Sequence, residues 1–368
     1  MKALFYPEWG KLEIADVPQP RLLEDEVLLR VSNCGVCGSE LETFRAQTRR
    51  RTPPLIMGHE FCGYIEEVRG PKSSWSEGQR VIAHALVHCG RCIPCLRGDT
   101  NLCVNRQIFG MHRPGAFAEY VAVPQHVLIP WPEGLPGTTA VLAEPLANGI
   151  NAMRQSPAAR KSRVLVIGAG PIGLMCVFAA KQLYGSSVVV SDLIPERLNA
   201  ARIVGADKTV NIELQDLSHQ MKEYWSTNAP ELVIDAVGSA KTKLLSLELV
   251  EPGGGVVWVG LHEDMMQLNS YALTLGQKSV SGSYSGSFDD LQQAARLLAA
   301  GALDTSWITQ YPLEKGEAGF RDMLFGKGDK IKAVLDIYGD PPKQACAQIK
   351  KEDDILPPLY DPATIERL

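Results

Sequence analysis

Four cysteines cluster in one short stretch, Cys89, Cys92, Cys95 and Cys103, in the spacing C-x2-C-x2-C-x7-C. Four thiolates from one loop fill the closed tetrahedral shell of a structural zinc ion. A second, dispersed set could hold another ion. It comprises Cys37 in Cys34-Gly35-Val36-Cys37-Gly38-Ser39-Glu40, the pair His59 and Glu60 after Gly58, and Glu144 before Pro145-Leu146-Ala147. Cys34 lies in a strand pattern just after Ser32, where a small buried residue is the usual occupant, so Cys37 is the candidate ligand. A DNA-binding zinc module is excluded by the charge balance, 37 basic against 42 acidic residues for a net −5, and by the lack of a basic helix after the cluster.

A third feature could cradle a phosphate. The strand-like Val164-Leu165-Val166-Ile167 runs into Gly168-Ala169-Gly170-Pro171-Ile172-Gly173, which opens a helix reaching about Tyr184. Gly168 permits the tight turn, Gly170 lets backbone approach a pyrophosphate, and Gly173 lets helix and strand pack closely, with free helix N–H groups facing the anion. Asp192 ends the next strand, at the separation from Gly173 that suits a carboxylate on an adenosine ribose. Its charge would repel a 2′-phosphate, which favours NAD over NADP. Arg197 follows one helical turn later.

These groups need a scaffold. At 368 residues the chain should hold two domains, and 45% hydrophobic with 21% charged residues excludes disorder and low-complexity classes. Up to about Ala143 the signals are short β-rich runs: Glu26 to Val31, Phe61 to Val68, Gln79 to Ala83 and Phe117 to Val123. From Ser162 strands alternate with helices, predicting six parallel strands in one doubly wound α/β sheet: Arg163 to Ile167, Val188 to Asp192, Lys208 to Ile212, Leu232 to Ala236, Val256 to Gly260 and Lys278 to Gly282. A helix from Phe288 to Ala300 and a strand from Ile331 to Ile337 break the repeat, and residues 339–368 read as a tail. The longest uncharged stretch, Val164 to Ala180, is short for a bilayer and has its glycines early, so no membrane span is expected. Nine cysteines without a secretory signal point to the cytoplasm and to metal ligation rather than disulfides.

The ordered set of Cys-Gly-Ser-acid, Gly-His-Glu, the four-cysteine loop, Glu-Pro-Leu and the glycine turn resembles the zinc-dependent medium-chain dehydrogenases, in particular their polyol and sugar-alcohol branch. The resemblance implies a GroES-like catalytic domain at 1–146, a Rossmann NAD-binding domain at 147–284, a return to the catalytic domain at 285–338, and a homodimer or homotetramer. It implies two zinc ions per chain. The catalytic ion would be held by Cys37, His59 and Glu60, with Glu144 as fourth ligand or as holder of a zinc-bound water. No cysteine occurs between Cys103 and Cys176, so a carboxylate replaces the second thiolate of the alcohol dehydrogenases. Ser39 matches the family's relay hydroxyl. Where many relatives carry a histidine shortly after the first zinc cysteine, this chain has Glu42, and Glu42 is the candidate terminal base.

Substrate residues are less marked. Arg49-Arg50-Arg51 and His112-Arg113 could steer or clamp an anionic sugar, or be solvated surface, and Tyr284 is a pocket candidate. The reading is hydride transfer between NAD(H) and a polyol, sugar or sugar acid, with or without a phosphate. Its alternatives are a threonine-type amino-alcohol dehydrogenase and a zinc- and NAD-binding protein without turnover.

Overall fold

The apolar run Val27-Leu28-Leu29 makes a ten-residue strand, Glu26–Gly35, the spine of the first lobe. The structure, a computed structural model, describes residues 1–46, 50–70, 73–156, 161–227, 229–301, 303–326 and 330–339. Arg49 and residues 340–368 of the expected tail lie outside them. One edge of the spine pairs with Glu60–Val68 along its length. The other edge is shared: Tyr120–Pro124 takes the first half and Lys332–Asp336 the second. Residues from the far end of the chain therefore complete the sheet that carries Cys34 and Glu60. Ile308–Pro312 adds in parallel to Lys332–Asp336, with the helix Gly316–Phe325 between them.

The second lobe is a six-stranded parallel sheet in the order 208–211, 187–192, 163–167, 232–235, 255–258, 279–282. This is the doubly wound arrangement that the alternation predicts, with its switch point beside the glycine turn. Strand 163–167 is buried on both faces, as parallel sheets require. Val164 and Val166 face one core, and Leu165 and Ile167 face another. The helix Pro171–Tyr184 starts on proline, whose missing N–H costs nothing there, and stops at Gly185 with φ 61°.

One of these cores runs from Cys62, Ile82 and Trp131 in the first lobe through Leu146 and Ile150 to Val166, Met175 and Val190 in the second. The helix Ala143–Arg154 bridges the lobes and straddles residue 146. Among the described residues, no helix is long and apolar enough to cross a membrane.

Candidate active site and metal centres

The four cysteines sit on a lobe closed by a two-stranded ladder, Leu86–Val87 with Gln107–Ile108, which brings the ends of the loop together. Their sulfurs lie within 4.8 Å of one another. Backbone N–H groups of Arg91 and Cys92 point at Cys89 and hold its thiol down to about 6. Cys89 N donates to Cys103 Sγ at 3.3 Å. Burial and the neighbouring thiols push Cys95 up to about 12. Four sulfurs this close, some held as thiolates by backbone and others short of one, make a donor set that a zinc ion fits.

The second group, Cys37, His59 and Glu60, has its ligand atoms within 4.8 Å of one another. Each arrives on a different piece of structure. Cys37 precedes the helix Gly38–Ala46, whose first-turn Glu40 folds back to accept from Cys37 N at 3.0 Å, the arm of a capping box. His59 leads into the strand that begins at Glu60. Glu40 joins them: its Oε1 accepts from Gly58 N at 2.8 Å and meets His59 Nδ1 at 2.9 Å. With Nδ1 engaged, Nε2 is the nitrogen left for a metal. Burial alone would raise the Glu40 pKa, but the charge and hydrogen bond of His59 and the nearby Arg51 bring it to about 2. Burial opposes the charged form of His59, yet Glu40 and Cys37 hold its pKa well above the ordinary value. A thiol, an imidazole oriented by a carboxylate and a second carboxylate, gathered with His59 and Glu60 buried, fit a catalytic zinc ion.

Glu144, in the first turn of its helix, is 6% exposed and lies outside that group of three. Burial, with Glu60 adding to it, pushes its carboxyl up to about 7, and Asn148 Nδ2 donates to its two oxygens at 3.2 and 3.4 Å. Ser39 Oγ donates to Cys37 Sγ at 3.3 Å.

At the glycine turn, Gly168 has φ 94°, a conformation closed to most side chains. A Cβ on Gly173 would lie 1.9 Å from Gly168 O, whereas one on Gly170 would meet nothing within 4 Å. The first is a packing constraint; the second is open space over a helix N-terminus, which a pyrophosphate fits. Pro171 and Ile172 form the helix's first turn, with Ile172 against the core. Asp192 Oδ2 accepts from Ala169 N at 2.7 Å, and its Oδ1 accepts from Leu193 N and Ile194 N at 2.7 and 2.9 Å, so strand end and turn are tied together. Arg197 has a buried Nε with no protein partner.

Two family models match the chain. Residues 23–133 match the Alcohol dehydrogenase GroES-like domain, and residues 171–300 match the Zinc-binding dehydrogenase family. The L-threonine 3-dehydrogenase of Pyrococcus furiosus is 32% identical over 338 residues, 89% of this chain and 96% of that one. The chain belongs to the zinc-dependent medium-chain alcohol dehydrogenases. The D-arabitol-phosphate dehydrogenase of Enterococcus avium is 30% identical over 90% of this chain and 95% of its own. Among solved structures, a short chain alcohol dehydrogenase from Escherichia coli CFT073, complexed with NADH, superposes with a TM-score of 0.85 at 28% identity, covering 91% of this chain and 99% of that one.

Two expectations for this dehydrogenase, those for Arg113 and Arg51, need correction. Arg113 is no substrate clamp: its guanidinium is held by Glu26 Oε1 at 2.6 Å and Ala122 O at 3.1 Å, and it lies over the Phe109 ring. Arg51 is no steering charge, since it is 2% exposed. Glu42 pairs with Arg50, Oε2 to Nη1 at 3.9 Å, rather than with Ser39. Tyr284 sits at the seam with the four-cysteine lobe, its carbonyl accepting from Asn101 Nδ2 at 2.8 Å and its ring 5.1 Å from the Arg106 guanidinium carbon.

Three residues of the centre escape sequence reasoning in these roles. Glu40 reads in the sequence only as the acid that closes the Cys-Gly-Ser motif. Arg51 hides in a run of three arginines. Lys332, 1% exposed, donates to Glu60 Oε2 and, at 3.0 Å, to Val36 O. A lysine inside the apolar run Ile331-Lys332-Ala333-Val334-Leu335 is the signal that could have exposed it.

Proposed function

We propose that the chain is an NAD-linked dehydrogenase that interconverts a secondary alcohol of a polyol, sugar or sugar acid with its ketone, carrying two zinc ions. One ion belongs to Cys89, Cys92, Cys95 and Cys103, the other to Cys37, His59 and Glu60 with Glu144 beside them. The observation that carries the reading is the convergence of those last three donor groups with the Ser39 hydroxyl against Cys37 Sγ. When bound, zinc supplies Lewis acidity toward the substrate hydroxyl and NAD+ supplies the hydride acceptor.

The chain's own groups do the rest. Glu40 fixes the tautomer and plane of His59. Ser39 Oγ takes the hydroxyl proton and passes its own to a neighbouring hydroxyl or water, since Glu42 is turned to Arg50. The overall change is CH–OH plus NAD+ to C=O, NADH and a proton. Asp192 favours NAD, because a 2′-phosphate there would meet a carboxylate. Residues 1–146 and 285–338 act as the catalytic domain and 147–284 as the cofactor domain. An edge strand at 279–282 beside Tyr271, 74% exposed, and Leu275, 83% exposed, supports a homodimer or homotetramer. Eight free cysteines among the described residues fit a reducing cytoplasm.

With Arg113 and Arg51 committed elsewhere, the case for an anionic substrate rests on the arabitol-phosphate relative. The Pyrococcus relative favours a second reading, oxidation of L-threonine. The test is NAD reduction, with zinc counted per chain, on neutral sugar alcohols, their phosphates and L-threonine. Two zinc ions with turnover of either polyol set upholds the proposal. Turnover of L-threonine alone moves it to the second reading. One zinc ion and no turnover refutes both.

A further inference from the structure

Arg51 is the largest fully buried side chain among the described residues, and two of its guanidinium nitrogens are spent on one residue, Ser39. Nη1 donates to Ser39 O at 3.1 Å and Nη2 to Ser39 Oγ at 3.1 Å, while Nε donates to Gly110 O at 3.0 Å. The two contacts on Ser39 grip it at both its backbone and its hydroxyl. The Nε contact ties that grip to the loop at Gly110, whose N–H is in turn bonded to Arg113 O. The same guanidinium lies close enough to Glu40 to help hold that carboxyl ionised.

We propose that Arg51 is a positioning residue for proton transfer: it occupies one lone pair of Ser39 Oγ, so that the hydroxyl proton is directed at Cys37 Sγ and a single lone pair is left for the substrate. This rests on the dehydrogenase reading above and goes beyond it. A serine hydroxyl has one proton, two acceptor sites and a free rotor. Without Arg51 it can turn either way. With a charge-assisted donor in place, one acceptor site is filled and the O–H vector is set, as the 3.3 Å contact to Cys37 Sγ records. When a substrate hydroxyl gives its proton to Ser39 Oγ, the O–H bond of the substrate breaks as one to Ser39 forms. Ser39's original proton then leaves its resting contact with Cys37 Sγ for a water molecule, and bound NAD+ would take the electron pair of the substrate C–H bond as hydride. The fixed cation beside Ser39 Oγ favours the moment when negative charge is shared there. Arginine keeps its charge at every working pH and cannot itself take the proton, so its part is placement.

The experiment uses the full chain with zinc kept at the four cysteines and cobalt(II) at Cys37. Hydrogen bonding to a ligand sulfur tunes its bond to the metal, so the thiolate-to-cobalt band reports whether Ser39 still donates to Cys37 Sγ. Arg51→Gln and Ser39→Ala are expected to shift this band in the same direction, the double variant no further than either alone, and Arg51→Lys by less than Arg51→Gln. An unmoved band in Arg51→Gln, or an additive shift in the double variant, overturns the proposal. In zinc protein, kcat per bound ion should fall about 10- to 100-fold in Arg51→Gln with KM within about twofold, and Arg51→Lys should recover part of it. A kcat per ion equal to that of the parent overturns it too. Failure of the dehydrogenase reading looks different: the parent chain turns over no alcohol, while the cobalt band still decides the role of Arg51. A parent chain that takes no metal at Cys37 overturns both.

Discussion

Lys332 offers a thermodynamic cycle on the proposed catalytic centre. Its ammonium is 1% exposed and donates to Glu60 Oε2, so Lys332→Met removes the partner of a buried carboxylate while keeping most of the volume. In the metal-free chain, breaking a buried pair by removing one partner costs about 3–5 kcal/mol, the packing change included. If zinc binds at Cys37, His59 and Glu60, the ion replaces the lost positive charge. Only the packing change remains, about 1–1.5 kcal/mol. The difference, about 2–4 kcal/mol, must appear by linkage as zinc binding about 30- to 900-fold tighter in the variant. Urea unfolding with and without the second zinc gives the two stability arms, and competition with a chromophoric chelator gives the affinity independently. Equal destabilisation of both forms, or weaker zinc binding by the variant, would refute the reasoning and remove Glu60 from the ligand set.

Glu40→Gln should lower the stability of the metal-free chain by about 3 kcal/mol at pH 6 and by about 1 kcal/mol at pH 3. A carboxyl lowered from 4.5 to about 2 stabilises fully above the first value and loses that effect as pH falls through the second, while the raised His59 contributes fully below 6.5; urea midpoints that differ equally at both pH values would contradict this. Gly173→Ala puts a Cβ 1.9 Å from Gly168 O, so the turn must open, at a cost of about 1–3 kcal/mol in unfolding, with weaker NADH binding seen by fluorescence titration. An unchanged Kd would show that the turn does not carry the cofactor. Asp192→Ala leaves the N–H groups of Ala169, Leu193 and Ile194 without their acceptor and should cost NAD about tenfold in affinity while costing NADP less; equal losses for both would count against the 2′-phosphate argument.

What is legible in the sequence follows how local each feature is. The parallel sheet announces itself through apolar strands such as Val164 to Ile167, because each strand is buried on both faces and its composition reports that directly. The four cysteines are equally plain, since one loop closed by a short ladder holds all of them. Boundaries are less so. The sequence pattern predicts a spine that stops at Val31, yet the strand continues to Gly35, because Lys332–Asp336 arrives from the far end of the chain to pair with it. No window around Val31 contains that partner. Arg113 misleads for the same reason: its basic neighbourhood reads as a substrate site, and only the fold reveals Glu26, 87 positions away, as its counter-ion.

The same contrast separates the two sets of donor residues. At the four-cysteine lobe, the backbone N–H groups of Arg91 and Cys92 prepare Cys89 from within a few residues, so the motif carries much of its own electrostatics. At the group of Cys37, His59 and Glu60 the donor side chains come with buried charges from far apart in the chain. Glu40 reaches His59 across 19 positions, Arg51 grips Ser39 across 12, and Lys332 meets Glu60 across 272. Each charge is needed because another is there. Glu40 holds a proton on His59 in the metal-free chain, and Glu60 helps keep one on Glu144, whose carboxyl stands near 7. A dication entering between Cys37, His59 and Glu60 must displace the first proton and favours loss of the second, so the centre is poised to exchange protons for metal. That coupling is a property of the assembled lobe. Ligand spacing can locate such a centre in a sequence, while the charges that tune it become visible only once the strands from both ends of the chain lie side by side.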